Sequence, residues 1–280
     1  MTYFDSIQLG LNLLKYKKIN NPRLDLELLL AEACMTRREE ILLNLGRVIS
    51  DIDLKNFLTL VKKRSNKMPI AQIIGKKEFW KHSFFINKEV LIPRPETETL
   101  VECALKMIKK DNSLNVLDIG TGSGCIIISI LKERKKCKGV ALDKSKAALI
   151  VAKTNAKIQH IANRIRFINS DIDNFSHNKY DFIISNPPYL KKSSINNLEE
   201  DVKKFEPHIA LDGGIDGYEV FRKVIKKSSE LIKKNGKLIL EIDCKQNQYI
   251  KDMLKIYKFY TVKTLKDLSG LDRCIVAIKN

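Results

Sequence analysis

No apolar run in the sequence reaches the ~18–20 uninterrupted residues of a membrane span, so a helical membrane protein is not expected. Met1 to Asn20 lack both a basic leader and a continuous apolar block, so no signal peptide is expected and the location should be the cytoplasm. There is no Cys-x-x-Cys pair. Cys34, Cys103, Cys125, Cys137, Cys244 and Cys274 are scattered, and His82, His160, His177 and His208 stand at no ligand spacing to them. A zinc site and a disulfide framework are therefore not expected, and the thiols read as small buried apolar residues in a reducing compartment. Internal repeats and low-complexity segments are also missing. What is present is a chain of 280 residues, 44% apolar and 30% charged, enough for one ordinary domain and a smaller one. The net charge is +18. It has two readings. Lys and Arg favour polyanions by displacing counterions from phosphates. However, the excess is mostly Lys dispersed in pairs such as Lys17-Lys18, Lys62-Lys63 and Lys226-Lys227, as on a solvated surface.

Residues 1 to about 75 read as helices. Leu9, Leu11, Leu13 and Leu14 belong to a first amphipathic segment. Pro22 then precedes Leu24, Leu26, Leu28, Leu29, Leu30 and Ala31, with acidic residues between them. A third helix is expected over Arg37 to Leu45 and a fourth over Leu54 to Ser65, with Pro69 and Gly75 as stops. Residues 76–93 change character. Phe79, Trp80, Phe84, Phe85, Ile86, Val90 and Leu91 suit a β-hairpin turning at Asn87-Lys88 and linking two domains. Within residues 94–280, strands alternate with helices from Asn115 onward, which implies an α/β fold with a mostly parallel sheet. The strand candidates are Asn115–Ile119, Gly139–Leu142, Ile165–Asn169, Tyr180–Ser185, Lys237–Ile242, Tyr260–Lys266 and Arg273–Ile278. A short connection containing Gly270 makes the last two antiparallel.

Four segments carry chemistry. Asp118-Ile119-Gly120-Thr121-Gly122-Ser123-Gly124 joins the first strand to a helix, where glycines permit a tight turn and a ligand's close approach. No Gly-Lys-Ser/Thr follows, so it is not a nucleoside triphosphate loop, and Gly-x-Gly-x-Gly spacing disfavours a nicotinamide site. Asp143 ends the second strand, where a carboxylate either accepts from both ribose hydroxyls of an adenosyl ligand or caps the next helix. Asp171 and Ile172 follow the third strand, at the place for an adenine ring; an ordinary loop carboxylate is the alternative. Asn186-Pro187-Pro188-Tyr189 follows the fourth strand. Two prolines stiffen the backbone and remove two donors. The Asn186 amide oxygen and the Pro187 carbonyl then offer two acceptors to the two hydrogens of an –NH2 group, and Tyr189 offers a flat surface.

Asn-Pro-Pro-Tyr combined with Asp-x-Gly-x-Gly-x-Gly resembles the class I amino-group methyltransferases, a group that includes nucleic-acid adenine methylases. Further segments resemble the HemK/PrmC family: Ile92-Pro93-Arg94-Pro95-Glu96-Thr97-Glu98; Phe205-Glu206-Pro207 with Ala210-Leu211-Asp212-Gly213-Gly214-Ile215-Asp216-Gly217; and Pro69 to Gly75 with Phe79-Trp80. One departure is Asp243, in Glu241-Ile242-Asp243-Cys244-Lys245-Gln246, where the family usually has Gly. The resemblance implies a Rossmann-like, seven-stranded class I S-adenosylmethionine-dependent methyltransferase domain with a small N-terminal helical bundle and a hairpin linker. It also implies methylation of the glutamine side-chain amide in the Gly-Gly-Gln loop of class 1 release factors. On this reading residues 1–75 dock that substrate. Gly120, Thr121, Gly122, Ser123, Gly124, Asp143, Asp171, Ile172 and Asn186 hold S-adenosylmethionine, and Asn186, Pro187, Pro188 and Tyr189 hold the target amide. Glutamine methylation of a large-subunit ribosomal protein and adenine-amino methylation of nucleic acid are the alternatives, and direct nucleic-acid binding is not the expectation.

Overall fold

The computed structural model describes residues 1–280. Its contacts divide the chain into two compact units, Met1–Lys76 with Glu199–Phe205, and Lys77–Leu198 with Glu206–Asn280. No helix is long and apolar enough to cross a membrane.

The first unit is helical: α1 Tyr3–Tyr16, α2 Pro22–Ala33, α3 Arg38–Leu43, α4 Asp51–Ser65 and the short α5 Ile70–Ile74. Thr2 and Asp5 cap α1 reciprocally, and Ser50 caps α4, satisfying donors that a helix start leaves open. Gly10 lets α1 approach α2, because a Cβ there would meet Leu26 at 2.4 Å. The acidic residues between the leucines of α2 are not solvent-facing. Asp25 and Glu27 are buried. Asp25 accepts from Arg64 at 2.6 Å, and Glu27 from Arg23 and Arg38. Breaking such a buried pair from one side costs ~3–5 kcal/mol. Gly75, at φ 76°, ends α5 in the left-handed region, as a C-terminal glycine should.

The hairpin turns earlier than expected. Its strands are β1 Lys76–Phe79 and β2 His82–Phe85, and the turn is Trp80-Lys81 rather than Asn87-Lys88. Trp80 has φ 57°, a conformation no aromatic residue advertises. It is held from outside. Glu98 accepts from Trp80 N at 2.7 Å, and Phe79 and Phe84 pack edge to face beneath the turn.

The second unit continues with α6 Glu98–Met107, β3 Asn115–Ile119, α7 Cys125–Glu133, β4 Lys138–Asp143, α8 Lys146–Ile158, β5 Ile165–Asn169 and β6 Tyr180–Ser185. After the short α9 Glu200–Phe205 of the first unit come α10 Glu219–Leu231, β7 Ile232–Glu241, α11 Asn247–Ile256, β8 Phe259–Lys266 and β9 Asp272–Lys279. The strand order is β5-β4-β3-β6-β7-β9-β8, parallel except for β9, which runs antiparallel to both neighbours. All seven expected strands are therefore present. Leu117, Ile119, Leu238 and Leu240 form one face with Phe221 and Val224 of α10 and Leu254 of α11. The other face takes α7: a Cβ on Gly139, in register with Val116, would meet Ile127 at 2.5 Å. This is a doubly wound α/β sheet. The chain starts in the middle at β3, passes outward to β5, then returns to β6 on the other side of β3. The reversal opens a crevice at the carboxyl ends of β3 and β6, where ligands of such sheets bind.

Candidate active site

A cavity of about 550 Å³ occupies that crevice. The carboxyl ends of four successive strands line it: Gly120, Thr121, Gly122 and Ser123 after β3, Asp143 at the end of β4, Asp171 and Ile172 after β5, and Asn186, Pro187 and Pro188 after β6. Strand ends far apart in sequence meet here because parallel strands in register end at one level.

The glycine loop folds back on β4, with Gly120 N and Thr121 N both donating to Leu142 O, at 2.9 and 3.0 Å. Gly120 and Gly122 have φ of 73° and 55°, and a Cβ on either would point into open space. That open side leaves the backbone bare for a ligand. Gly124 does not line the cavity. At φ 80° it starts α7, and its Cβ would strike Ile128 at 2.9 Å and Ala152 at 3.2 Å. Helix packing demands that glycine.

Asp143 braces this loop. Its Oδ2 accepts from Gly122 N at 2.9 Å and its Oδ1 from Ser145 N at 2.8 Å. Burial pushes its carboxyl above the ordinary range, and these backbone donors pull it back. The cap of α8 is Ser145, which accepts from Ala148 N at 3.1 Å, so Asp143 is not the capping residue. Each carboxylate oxygen keeps a second acceptor direction for a ligand. Asp171 caps the turn Ile172–Asn174 through Asp173 N, and Ile172 lies against the cavity.

Asn186 donates through Nδ2 to Thr97 Oγ1 at 3.3 Å. The following backbone is clamped from outside. Leu190 and Leu211–Gly213 exchange hydrogen bonds, and Gln246 Nε2 donates to Tyr189 O and Gly217 O, at 3.2 and 3.1 Å. A Cβ on Gly213 would collide with Pro188 O and the Tyr189 backbone at 2.9 Å. None of these bonds uses the Pro187 carbonyl. Tyr189 is not brought to the cavity. Its ring packs against the core of the sheet, and burial pushes its phenol up to about 12. Tyr189 is half-buried and, unlike Asn186, does not line the cavity. Asp243, at φ −75°, needs no glycine conformation and caps its own turn reciprocally with Gln246.

Several residues at the site, most of them inside the motif segments, gain a role only from the tertiary structure. Asp118 accepts from Thr121 Oγ1 at 2.7 Å, and burial pushes it up to about 7. Asn155, mid-α8, donates to Ser123 O and exchanges bonds with the Phe85 backbone, tying the glycine loop to the hairpin. Glu206 takes Ile92 N and the guanidinium of Arg94, which lines the cavity. Both lie in segments that carry the family resemblance, which gave no sign that they pair. Thr97 and Glu241 carried no signal of their own.

Comparison with known proteins agrees with this architecture. Residues 97–204 match the methyltransferase small domain, and residues 5–75 match the PrmC N-terminal domain. The chain is 35% identical to a release factor glutamine methyltransferase of Caulobacter vibrioides, over 95% of this chain and 93% of that one. It is 36% identical to another of the same name from Clostridium botulinum, over 96% of each. Among solved structures, a methyltransferase from Pyrococcus furiosus shares the fold at a TM-score of 0.53 and 16% identity, covering 81% of this chain and 99% of that one.

Proposed function

The chain belongs to the release factor glutamine methyltransferase family, and from that premise we propose that it methylates the side-chain amide nitrogen of the Gly-Gly-Gln glutamine in class 1 release factors, in the cytoplasm. The methyl donor is S-adenosylmethionine, which supplies a strongly electrophilic methyl group. The chain's own residues fit that cofactor. Gly120 and Gly122 bare the backbone toward the cavity, Asp143 has spare acceptor capacity for ribose hydroxyls, and Asp171 and Ile172 line the same cavity, which supports an adenine contact there.

The observation that carries the reading is the state of Asn186. Its Nδ2 end is engaged by Thr97 at 3.3 Å, which leaves Oδ1 as an acceptor beside the stiff Pro187 carbonyl. Two acceptors hold one –NH2 group and fix its orientation. An amide nitrogen is a poor nucleophile because its lone pair is delocalised into the carbonyl. As the N–C bond forms and the donor's S–C bond breaks, its electron pair staying on the sulfur of the departing S-adenosylhomocysteine, positive charge would grow on the nitrogen, where both acceptors would stabilise it. The methylated cation is very acidic, so its proton passes to solvent without a dedicated base.

The helices of Met1–Lys76 supply the docking surface. A single glutamine fills little area, whereas a specific protein complex buries ~1,200–2,000 Å² in total. On α1, Leu9, Leu13 and Tyr16 share one face and are 50%, 41% and 81% exposed. Mass spectrometry after incubation with S-adenosylmethionine tests the function. A methyl group on the Gly-Gly-Gln peptide of the release factor is expected. Transfer to ribosomal protein or RNA in its place refutes the assignment.

A further inference from the structure

Glu241 stands behind the candidate site without lining the cavity. It ends β7, beside β6. Ser185 pairs with Leu240 in the parallel ladder, so Asn186 and Glu241 leave adjacent strands at the same level. Thr97, which is buried, accepts from Asn186 Nδ2. Glu241 is 2% exposed, and its Oε2 is buried with no hydrogen-bond partner. An unpartnered buried carboxylate oxygen is costly and calls for a function.

We propose that Glu241 is a positioning residue: its carboxylate, with Thr97, fixes the Nδ2 end of Asn186 so that Oδ1 is presented to the substrate nitrogen. This rests on the reading of Asn186 given above and deepens it. A carboxamide has a donor end and an acceptor end of the same shape. Were Asn186 to flip, its NH2 would meet the substrate NH2, donor against donor, and the acceptor that stabilises the growing positive charge would be lost. An ionised carboxylate behind Asn186 accepts hydrogen bonds only, so it selects the productive orientation. Its negative charge also favours the cationic transition state.

The surroundings of Glu241 set the pH range of this effect. Burial pushes its carboxyl up to about 7, opposed by the Thr97 and Asn186 side chains and the charge of Arg273 on β9, and assisted by Glu96 ahead of α6. Tyr189, Cys125 and Cys274 also feel its charge, and all three are pushed up out of the neutral range. Asp118 lies in the same range as Glu241, at about 7. A variant of Glu241 is therefore needed to separate the two.

The test compares wild type with Glu241→Gln and, as a second variant, Thr97→Val. Single-turnover methyl transfer is measured from pH 5.5 to 8.5 with saturating cofactor and release factor. For Glu241→Gln we expect a fall of about 10–100-fold at pH 8, and loss of the limb on which the wild-type rate rises through about pH 7. S-adenosylhomocysteine affinity should stay within about twofold, since Asp143 and the glycine loop are untouched. A rate within about threefold of wild type, with the limb retained, overturns the proposal. A readout independent of release factor is the side-chain NH2 resonance of Asn186, identified by its loss in Asn186→Asp. In the S-adenosylhomocysteine complex of the wild type it should shift with an inflection near pH 7, and Glu241→Gln should abolish the inflection. A resonance indifferent to pH overturns the proposal even if the Glu241 variant does not fold. If wild type methylates no release factor, the substrate assignment fails, and the resonance still decides the role of Glu241.

Discussion

Asp143→Ala removes a group with two separable duties. Its oxygens accept from Gly122 N and Ser145 N at 2.9 and 2.8 Å, which hold the glycine loop against the start of α8. A hydrogen bond to a charged group contributes ~1.5–3 kcal/mol. Water can re-solvate the freed N–H groups from the cavity, so the loss of stability should be ~1–3 kcal/mol in all. The second duty is toward the ligand. Losing the acceptor for the ribose should weaken S-adenosylhomocysteine by a further ~1.5–3 kcal/mol, or roughly 10–150-fold in Kd. Asp143→Asn separates the two. It keeps the shape and an acceptor toward Ser145, but turns a donor toward either Gly122 N or the ribose. Isothermal titration calorimetry reads the affinity, and thermal unfolding reads the brace. We expect Ala to lower both, and Asn to lower affinity nearly as much with a smaller loss of melting temperature. Unchanged affinity with a lowered melting temperature would reduce Asp143 to a loop brace and refute the cofactor role.

Asn186→Ala should lower the single-turnover rate roughly 10²–10³-fold while S-adenosylhomocysteine binding falls much less; a rate within about threefold, under ~1 kcal/mol, contradicts its role. Gly122→Ala forces an L-residue to φ 55°, at ~1–2 kcal/mol, and places a methyl group on the cavity side. Calorimetry should show affinity falling by more than that strain, and an equal fall in both would mean the loop makes no close ligand contact. Replacing Leu9, Leu13 and Tyr16 together with Ala should raise KM for release factor and leave cofactor affinity and melting temperature near wild type. An unchanged KM would remove that face of α1 from the docking surface. Glu241 binds its proton more tightly folded than unfolded, since burial lifts it from 4.5 to about 7. Its contribution to stability is thus fully present below about pH 4.5 and lost as pH rises through about 7. Glu241→Gln should gain on the order of 2–3 kcal/mol relative to wild type between pH 5 and pH 8, and urea midpoints with the same pH dependence in both proteins would contradict this.

The strand–helix alternation, all seven strands of the main sheet and the glycine and Asn-Pro-Pro-Tyr segments were legible in the sequence. Period, turn chemistry and missing donors act over a few residues, and a parallel sheet turns that local order into a fixed layout. The hairpin turn was not legible. Trp80 adopts a positive φ because Glu98, eighteen positions on, accepts its N–H. Tyr189 likewise reads as a surface beside Asn186, yet Gln246 and the Gly213–Gly217 loop hold its backbone, and the half-buried ring packs against the core outside the cavity.

Short-range patterning and the crossover rule are enough to settle the α/β class, the strands that end at the crevice and the residues at their tips. Tertiary structure alone decided the supports: Asp143 on Gly122, Asn155 on Ser123, Glu206 on Arg94, and Thr97 and Glu241 on Asn186. Each joins groups from different elements, up to 144 positions apart between Thr97 at one end and Glu241 at the other. A buried donor or acceptor must find a partner wherever the fold places one, and no local pattern in a single chain records which it will be.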